Sequence, residues 1–180
     1  FTAQEAWEVL EGKNGNEAGY VFTEEWYTFP EFKLSAISTD DWQRIMLAKD
    51  MVNKHIETAR GEKIINANLS ADVDLYADGA MHESLAKLGE ELRFVLITSS
   101  ATLKPKSNAP AAAKNDATEQ AESSTKETAD LVVNVSAATG TKCVRCWHIR
   151  NDIGTDSAHP ELCARCVTNV TGNGEVRHYA

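Results

Sequence analysis

Four cysteines stand in two C-x-x-C pairs, Cys143-Val-Arg-Cys146 and Cys163-Ala-Arg-Cys166, with sixteen residues between the pairs. They are the only cysteines in the chain. A C-x-x-C pair bends through one turn, so its two sulfurs can face one atom. Two such turns brought together from distant positions close a tetrahedron, the arrangement that a structural zinc ion takes from four thiolates. Such a site is coordinatively closed. It stabilises a fold and leaves no open position for catalysis. Two disulfides are the competing use of four cysteines. They belong to exported chains, and this one carries neither a signal-peptide pattern nor an apolar run long enough to span a membrane. A cytoplasmic location, with reduced thiols, is the expectation. His148 and His159 lie between the pairs and are expected as loop or surface residues, since four thiolates already fill the tetrahedron.

The net charge of −9 argues against a general nucleic-acid coat protein. It is unevenly placed. Residues 141–180 carry five basic residues against four acidic ones, a net of +1, which leaves −10 on the other 140. One zinc ion with four thiolates adds about −2 to this end. Arg145 and Arg165, each inside a C-x-x-C pair, therefore have two readings: they neutralise the metal site, or they present positive charge to a partner.

The chain begins at Phe1 inside an apparent helix and reads as a piece of something longer. The pattern predicts an α+β fold in four parts. Residues 1–62 read as the helical part of a larger bundle. Residues 12–19 form a loop there. The aromatics Tyr20, Phe22, Trp26, Tyr27 and Phe29 are expected to plug the end of the bundle. A long helix over 39–61 is capped by Thr39 or Asp40, stops at Gly61 and turns Trp42, Ile45, Met46, Val52, Ile56 and Ala59 inward. Residues 63–103 read as a small α/β unit: a strand in ADVDLYA, a short helix over 79–88 and a buried strand over 92–99. Residues 104–130 lack aromatic and large aliphatic residues and read as a flexible linker. Residues 131–180 open with a strand, DLVVNVS, and lead into a zinc-ribbon tail.

At this tail the sequence resembles a known family. C-x-R-C-W-H, a loop with a late histidine, and C-x-R-C-V-x-N are all kept within residues 142–180. They resemble the extreme C-terminus of bacterial isoleucyl-tRNA synthetases. The upstream blocks FTAQEAW, VFTEEWY, VNKHIETAR and ELRFVLITSSAT occur in the order found in the same family. The resemblance implies the end of a helical anticodon-binding domain, a small α/β junction and a zinc-bearing tail. The parent would be a class I enzyme, cytoplasmic and monomeric, that joins isoleucine to its tRNA using ATP and Mg²⁺. The chain lacks the H-x-G-H and K-M-S-K-S signatures of the family's catalytic domain, so on its own it is expected to be inactive.

The resemblance also implies a partner, the anticodon stem-loop of isoleucine tRNA, with no membrane and no DNA. Unpaired bases of RNA are recognised by stacking on aromatics and by Arg or polar contacts. Trp147 follows Cys146 directly, and Arg145 lies between the first two cysteines, so a bound metal would fix both backbones. Trp147 either stacks on a loop base or packs as a lid over the zinc. Arg145 contacts base or phosphate, and Arg165, Arg150 and Arg177 extend a track for phosphates. Asn169 and Asn173 with Gly172 and Gly174 are expected to build a turn. Three rival readings predict other behaviour: a DNA-repair finger of the formamidopyrimidine-DNA glycosylase type prefers duplex DNA, a protein-docking ribbon binds no RNA, and a thiol switch releases zinc on mild oxidation.

Overall fold

A computed structural model describes residues 2–11, 19–30, 36–111 and 131–180. The chain divides into two compact units, Phe1–Lys33 and Leu34–Ala180. In the first, helix α1 (Thr2–Glu11) is tied to the segment after it by Gln4. The Gln4 amide donates to the Gly19 carbonyl at 2.8 Å and accepts from the Val21 N–H at 3.0 Å. The aromatic segment is not a plug within this unit. Trp26 is 98% exposed, and Tyr20, Phe22, Tyr27 and Phe29 are also open to solvent. Tyr27 and Phe29 meet edge to face at 5.2 Å. The expected loop over 12–18 lies outside the described residues.

The second unit opens with α2 (Thr39–Gly61). Its cap is Ser38, not Thr39 or Asp40 as expected. The Ser38 hydroxyl accepts from Asp41 N–H at 3.2 Å, and the Asp41 carboxylate accepts from Ser38 N–H at 2.8 Å, a reciprocal capping box. Ile45, Ala48, Val52, Ile56 and Ala59 form its buried stripe; Met46, expected inside, is half-exposed. Strand β1 (Ala71–Ala77) follows, then α3 (Gly79–Ala86), α4 (Leu92–Leu96) and β2 (Ser100–Pro105).

Residues 92–99 were expected as a strand, and the structure corrects this. Leu85, Leu88, Leu92 and Leu96 are all buried and recur every three or four residues, a helical period. That period outweighs the strand preference of Val95, Ile97 and Thr98. Ile97 ends α4 in the left-handed conformation, φ 59°, with its N–H returned to the Phe94 carbonyl. The chain then enters β2.

Strand β3 (Leu131–Ala137) completes a three-stranded sheet in the order β2-β1-β3. β1 is parallel to β2 and antiparallel to β3. Val73 and Leu75 of β1, together with Leu131 and Val133, join the buried stripe of α2 and the leucines of α3 and α4 in one core. The helix assigned by sequence to a bundle thus packs against the α/β unit. On the other side of the sheet, Tyr76, Ala109 and Val132 form a small cluster. Residues 104–111, expected as linker, are therefore ordered: Lys104 and Pro105 belong to β2, and Ala109 is buried. Residues 112–130 lie outside the described residues. Pro105 and Leu131 both pair with Ala77, so the connection leaves and rejoins the sheet at one level.

After β3, Gly140 turns the chain into a hairpin of β4 (Thr141–Lys142) and β5 (Ile149–Arg150). Its φ is 119°, and a Cβ there would lie 2.5 Å from the Arg150 carbonyl oxygen, so only glycine fits. A loop then leads to α5 (Ala164–Thr171), with Cys163 at the position just before its first turn. The seam with the α/β unit runs through Ser99. Its hydroxyl accepts from Ile149 N–H at 2.7 Å and donates to the Leu69 carbonyl. Among the described residues, no helix is long and apolar enough to cross a membrane.

Candidate metal centre

The hairpin holds the first C-x-x-C pair at its tip, and the N-terminus of α5 holds the second. Cys143 N–H donates to the His148 carbonyl at 2.9 Å, and Trp147 N–H donates to the Cys143 carbonyl at 2.9 Å. These bonds close the first knuckle. Its last turn requires a left-handed residue, and Trp147 supplies it with φ 67°.

All four sulfurs lie within 4.8 Å of one another, and Cys146 Sγ stands 3.7 Å from Cys163 Sγ. A tetrahedron with Zn–S bonds of about 2.3 Å has edges of about 3.8 Å. The spacing fits one zinc ion. So does the electrostatics. Sulfurs this close cannot all ionise side by side unless a cation neutralises them. Burial pushes the Cys163 thiol up to about 12, and the neighbouring sulfurs of Cys166 and Cys146 add to the rise. Burial also opposes ionisation of Cys143, but backbone N–H groups of Cys146, Cys163 and Arg145 outweigh it and bring that thiol down to about 6. Cys143, Cys163 and Cys166 are buried, and Ile153 and Leu162 pack over the cluster. The lid is thus aliphatic. Trp147 is 60% exposed, with Lys142 Nζ 5.3 Å from its ring centroid.

The five residues read from sequence as RNA contacts are placed differently from one another. Arg145 Nη1 lies 3.7 Å from Cys166 Sγ, at the edge of the metal site. Arg150 makes a loose pair with Asp152 at 3.7 Å. Arg165 and Arg177 both hold Glu175, at 2.8 and 2.7 Å. Burial works against the Arg165 charge, but the Cys146 sulfur and Glu175 hold its pKa above the usual arginine value. Asn169 accepts from Glu175 N–H at 2.8 Å and donates to its carboxylate at 3.2 Å, which builds the expected turn.

Phe94 organises this region and was missed, because its segment was read as a strand. The guanidinium carbons of Arg177, Arg93 and Arg165 lie 3.9, 4.4 and 5.0 Å from its ring centroid. His148 meets the same ring edge-on at 6.0 Å. His148 is buried, contrary to expectation, and its Nδ1–H donates to the Cys146 carbonyl at 3.2 Å. Burial, then Arg93 and Arg165, lower its pKa below the usual histidine value.

Residues 140–169 match a family described as a zinc finger found in FPG and IleRS. That match covers both the repair finger and the synthetase. Similarity over the whole chain separates them. An isoleucine–tRNA ligase of Psychrobacter arcticus is 80% identical over all of this chain. This chain is homologous to isoleucine–tRNA ligases. The isoleucine–tRNA ligases of Acinetobacter baylyi and Pseudomonas paraeruginosa, 46% and 45% identical, also match it from end to end. The chain spans 19% of the length of the first of these isoleucine–tRNA ligases and 18% of the other two.

Proposed function

We propose that this chain is the C-terminal, zinc-bearing, tRNA-binding portion of an isoleucine–tRNA ligase. In this reading residues 1–62 end the helical anticodon-binding domain, residues 63–103 are the junction, and residues 131–180 reach the anticodon stem-loop of isoleucine tRNA. The full-length protein attaches isoleucine to that tRNA with ATP and Mg²⁺, as a cytoplasmic monomer. The part described by this sequence binds rather than catalyses.

The observation that carries the proposal is the whole-length 80% identity to an isoleucine–tRNA ligase. The presentation of Trp147 supports the RNA-binding role. Zinc held by Cys143, Cys146, Cys163 and Cys166 fixes the knuckle, and the left-handed backbone turns the indole outward. An exposed ring on a rigid turn stacks on an unpaired base with little ordering cost, worth roughly 1–3 kcal/mol. Arg145 and Arg150 supply direct contacts. Arg165 and Arg177, engaged by Glu175 and Phe94, contribute positive field and hold the face together.

Fluorescence anisotropy with a labelled isoleucine anticodon stem-loop tests this, with a non-cognate stem-loop and duplex DNA as controls. The zinc-loaded chain should prefer the cognate loop, and Arg145→Ala should weaken binding and flatten its salt dependence. Equal affinity for all three nucleic acids would refute the anticodon-reading role.

A further inference from the structure

A groove of about 510 Å³ runs along the seam between the α/β unit and the ribbon. One wall is Trp147 with Lys142, from the hairpin. The other comes from Arg60 at the end of α2, Asn66 and Asn68 in the turn before β1, and Ile97 after α4. Three non-glycine residues among those described have positive φ: Lys63, Ile97 and Trp147. Two of them line this groove, and both are large apolar side chains at least half exposed. A left-handed β-branched or bulky residue is strained, and such strain concentrates where a ligand is held. Here it turns two apolar surfaces toward one space.

The polar groups of the groove are open as well. The side-chain amides of Asn66 and Asn68 make no hydrogen bond to other described residues; both are bonded through the backbone alone, Asn66 N–H to the Ser70 hydroxyl and the Asn68 carbonyl from Ala71 N–H. Lys142 has no carboxylate partner among the described residues and lies against the Trp147 ring. Arg60 at the rim holds Glu57 through an exposed pair at 2.8 Å. The volume lies in the range of small-ligand sites, about 300–1,000 Å³. An aromatic wall offers a π face. Carboxamides carry both donors and acceptors and suit the edge of a heterocycle. Two cations at the mouth suit phosphate.

We propose that this groove seats one unpaired base of a single-stranded RNA loop, with Trp147 and Ile97 against the base faces, Asn66 and Asn68 on its edge, and Lys142 and Arg60 toward the flanking phosphates. This deepens, and rests on, the reading of the ribbon as an RNA-binding module. It adds four residues from outside the ribbon, Arg60, Asn66, Asn68 and Ile97, across the seam held by Ser99.

The test is an NMR titration of the zinc-loaded chain with an RNA stem-loop and with an RNA duplex of the same length. The stem-loop should shift the Trp147 indole, the Ile97 methyls and the Asn66 and Asn68 carboxamides; the duplex should not. Trp147→Gly relieves the left-handed strain, so the fold and zinc should persist. Affinity for the loop should nevertheless fall roughly five-fold to a hundred-fold. Asn66→Ala with Asn68→Ala should shrink the spread of affinities among loops differing in one base, leaving the salt slope unchanged. Shifts confined to Arg145, Arg150, Arg165 and Arg177 would overturn the groove and leave RNA binding by the ribbon standing. A double variant that discriminates bases as before would overturn the assignment of Asn66 and Asn68. No shift with any RNA would overturn both the groove and the reading beneath it.

Discussion

The carboxylate of Glu91 accepts the backbone N–H of Tyr179, 88 residues further along the chain, at 2.7 Å. It also accepts from His178 and Ala180, at 2.7 and 2.8 Å, while the Tyr179 ring packs against the main core. One side chain beside α4 thus clasps three successive amides beyond α5. Burial works against ionisation of Glu91, but the three N–H donors prevail and lower its pKa below the usual 4.5. A depressed folded pKa means that the clasp contributes fully above the ordinary carboxylate range and is lost as pH falls through the folded value. Glu91→Gln should accelerate amide hydrogen exchange at 178–180 at neutral pH, and acidifying the unaltered protein should reproduce that effect below pH 4.5. Unchanged exchange in the variant would remove Glu91 from this role.

Phe94 is the common neighbour of Arg93, Arg165, Arg177 and His148. Phe94→Leu keeps an apolar side chain and deletes the ring quadrupole. The expected loss is about 1–2 kcal/mol, from several cation–ring contacts of roughly 0.5–1 kcal/mol each. A denaturation midpoint that falls at constant slope would show it. A midpoint identical to that of the parent would mean that the three guanidiniums gain nothing from the ring.

Chelation should separate the two cores. The cysteine cluster and the core around α2 and β1 share no buried residue. Removing zinc should therefore abolish protection in α5 and both knuckles, with β1 and β3 still protected in hydrogen exchange. Because the ligands bind as thiolates, zinc affinity should fall as pH drops, most steeply where the cysteines take up protons. Loss of the sheet together with the ribbon would show that the seam through Ser99 makes them one cooperative unit.

Asp41 receives Ser38 N–H and hydroxyl, Ser84 hydroxyl at 2.8 Å and Lys87 ammonium at 2.6 Å. Lys87 first, then Ser38 and Ser84, hold its carboxyl well below the usual range. Its contribution is present above the ordinary value of 3.8 and is lost as pH falls further. Asp41→Asn should destabilise the protein at neutral pH, and the gap to the parent should narrow in acid. A gap independent of pH would assign the loss to the cap geometry rather than the charge.

At the entrance to the ribbon, Gly140→Ala should cost at least about 1 kcal/mol, since it combines a left-handed φ with a backbone clash. Thermal unfolding followed through zinc release would register it. A gain in stability would mean that the turn relaxes at no cost.

The four-cysteine cluster was legible in the sequence because its spacing is a local signal: Cys143 to Cys146 and Cys163 to Cys166 each fit one turn. The strand β1 and the helix α2 were legible for the same reason, each showing its own period. What failed was non-local or ambiguous. Leu92 to Leu96 is too short for composition to distinguish helix from strand; only the longer leucine series from Leu85 carries the period. Ala109 is buried by Tyr76 and Val132, distant partners that no local pattern in 104–130 could announce. Trp147 was singled out, but sequence could not choose between lid and platform, because the aliphatic cover from Ile153 and Leu162 exists only in three dimensions. The exposure of Trp26 and its neighbours was likewise invisible, since aromatic density says nothing about what lies opposite.

Pro105 and Leu131 lie on opposite sides of Ala77. The geometry of the three strands is therefore independent of how many residues join them. Doubling the length of such a connection costs only about 0.6 kcal/mol in closure entropy. Homologous chains are free to grow or shrink there without moving a single cysteine, and a fluorescent protein or affinity handle inserted between 112 and 130 should leave the metal centre as it stands.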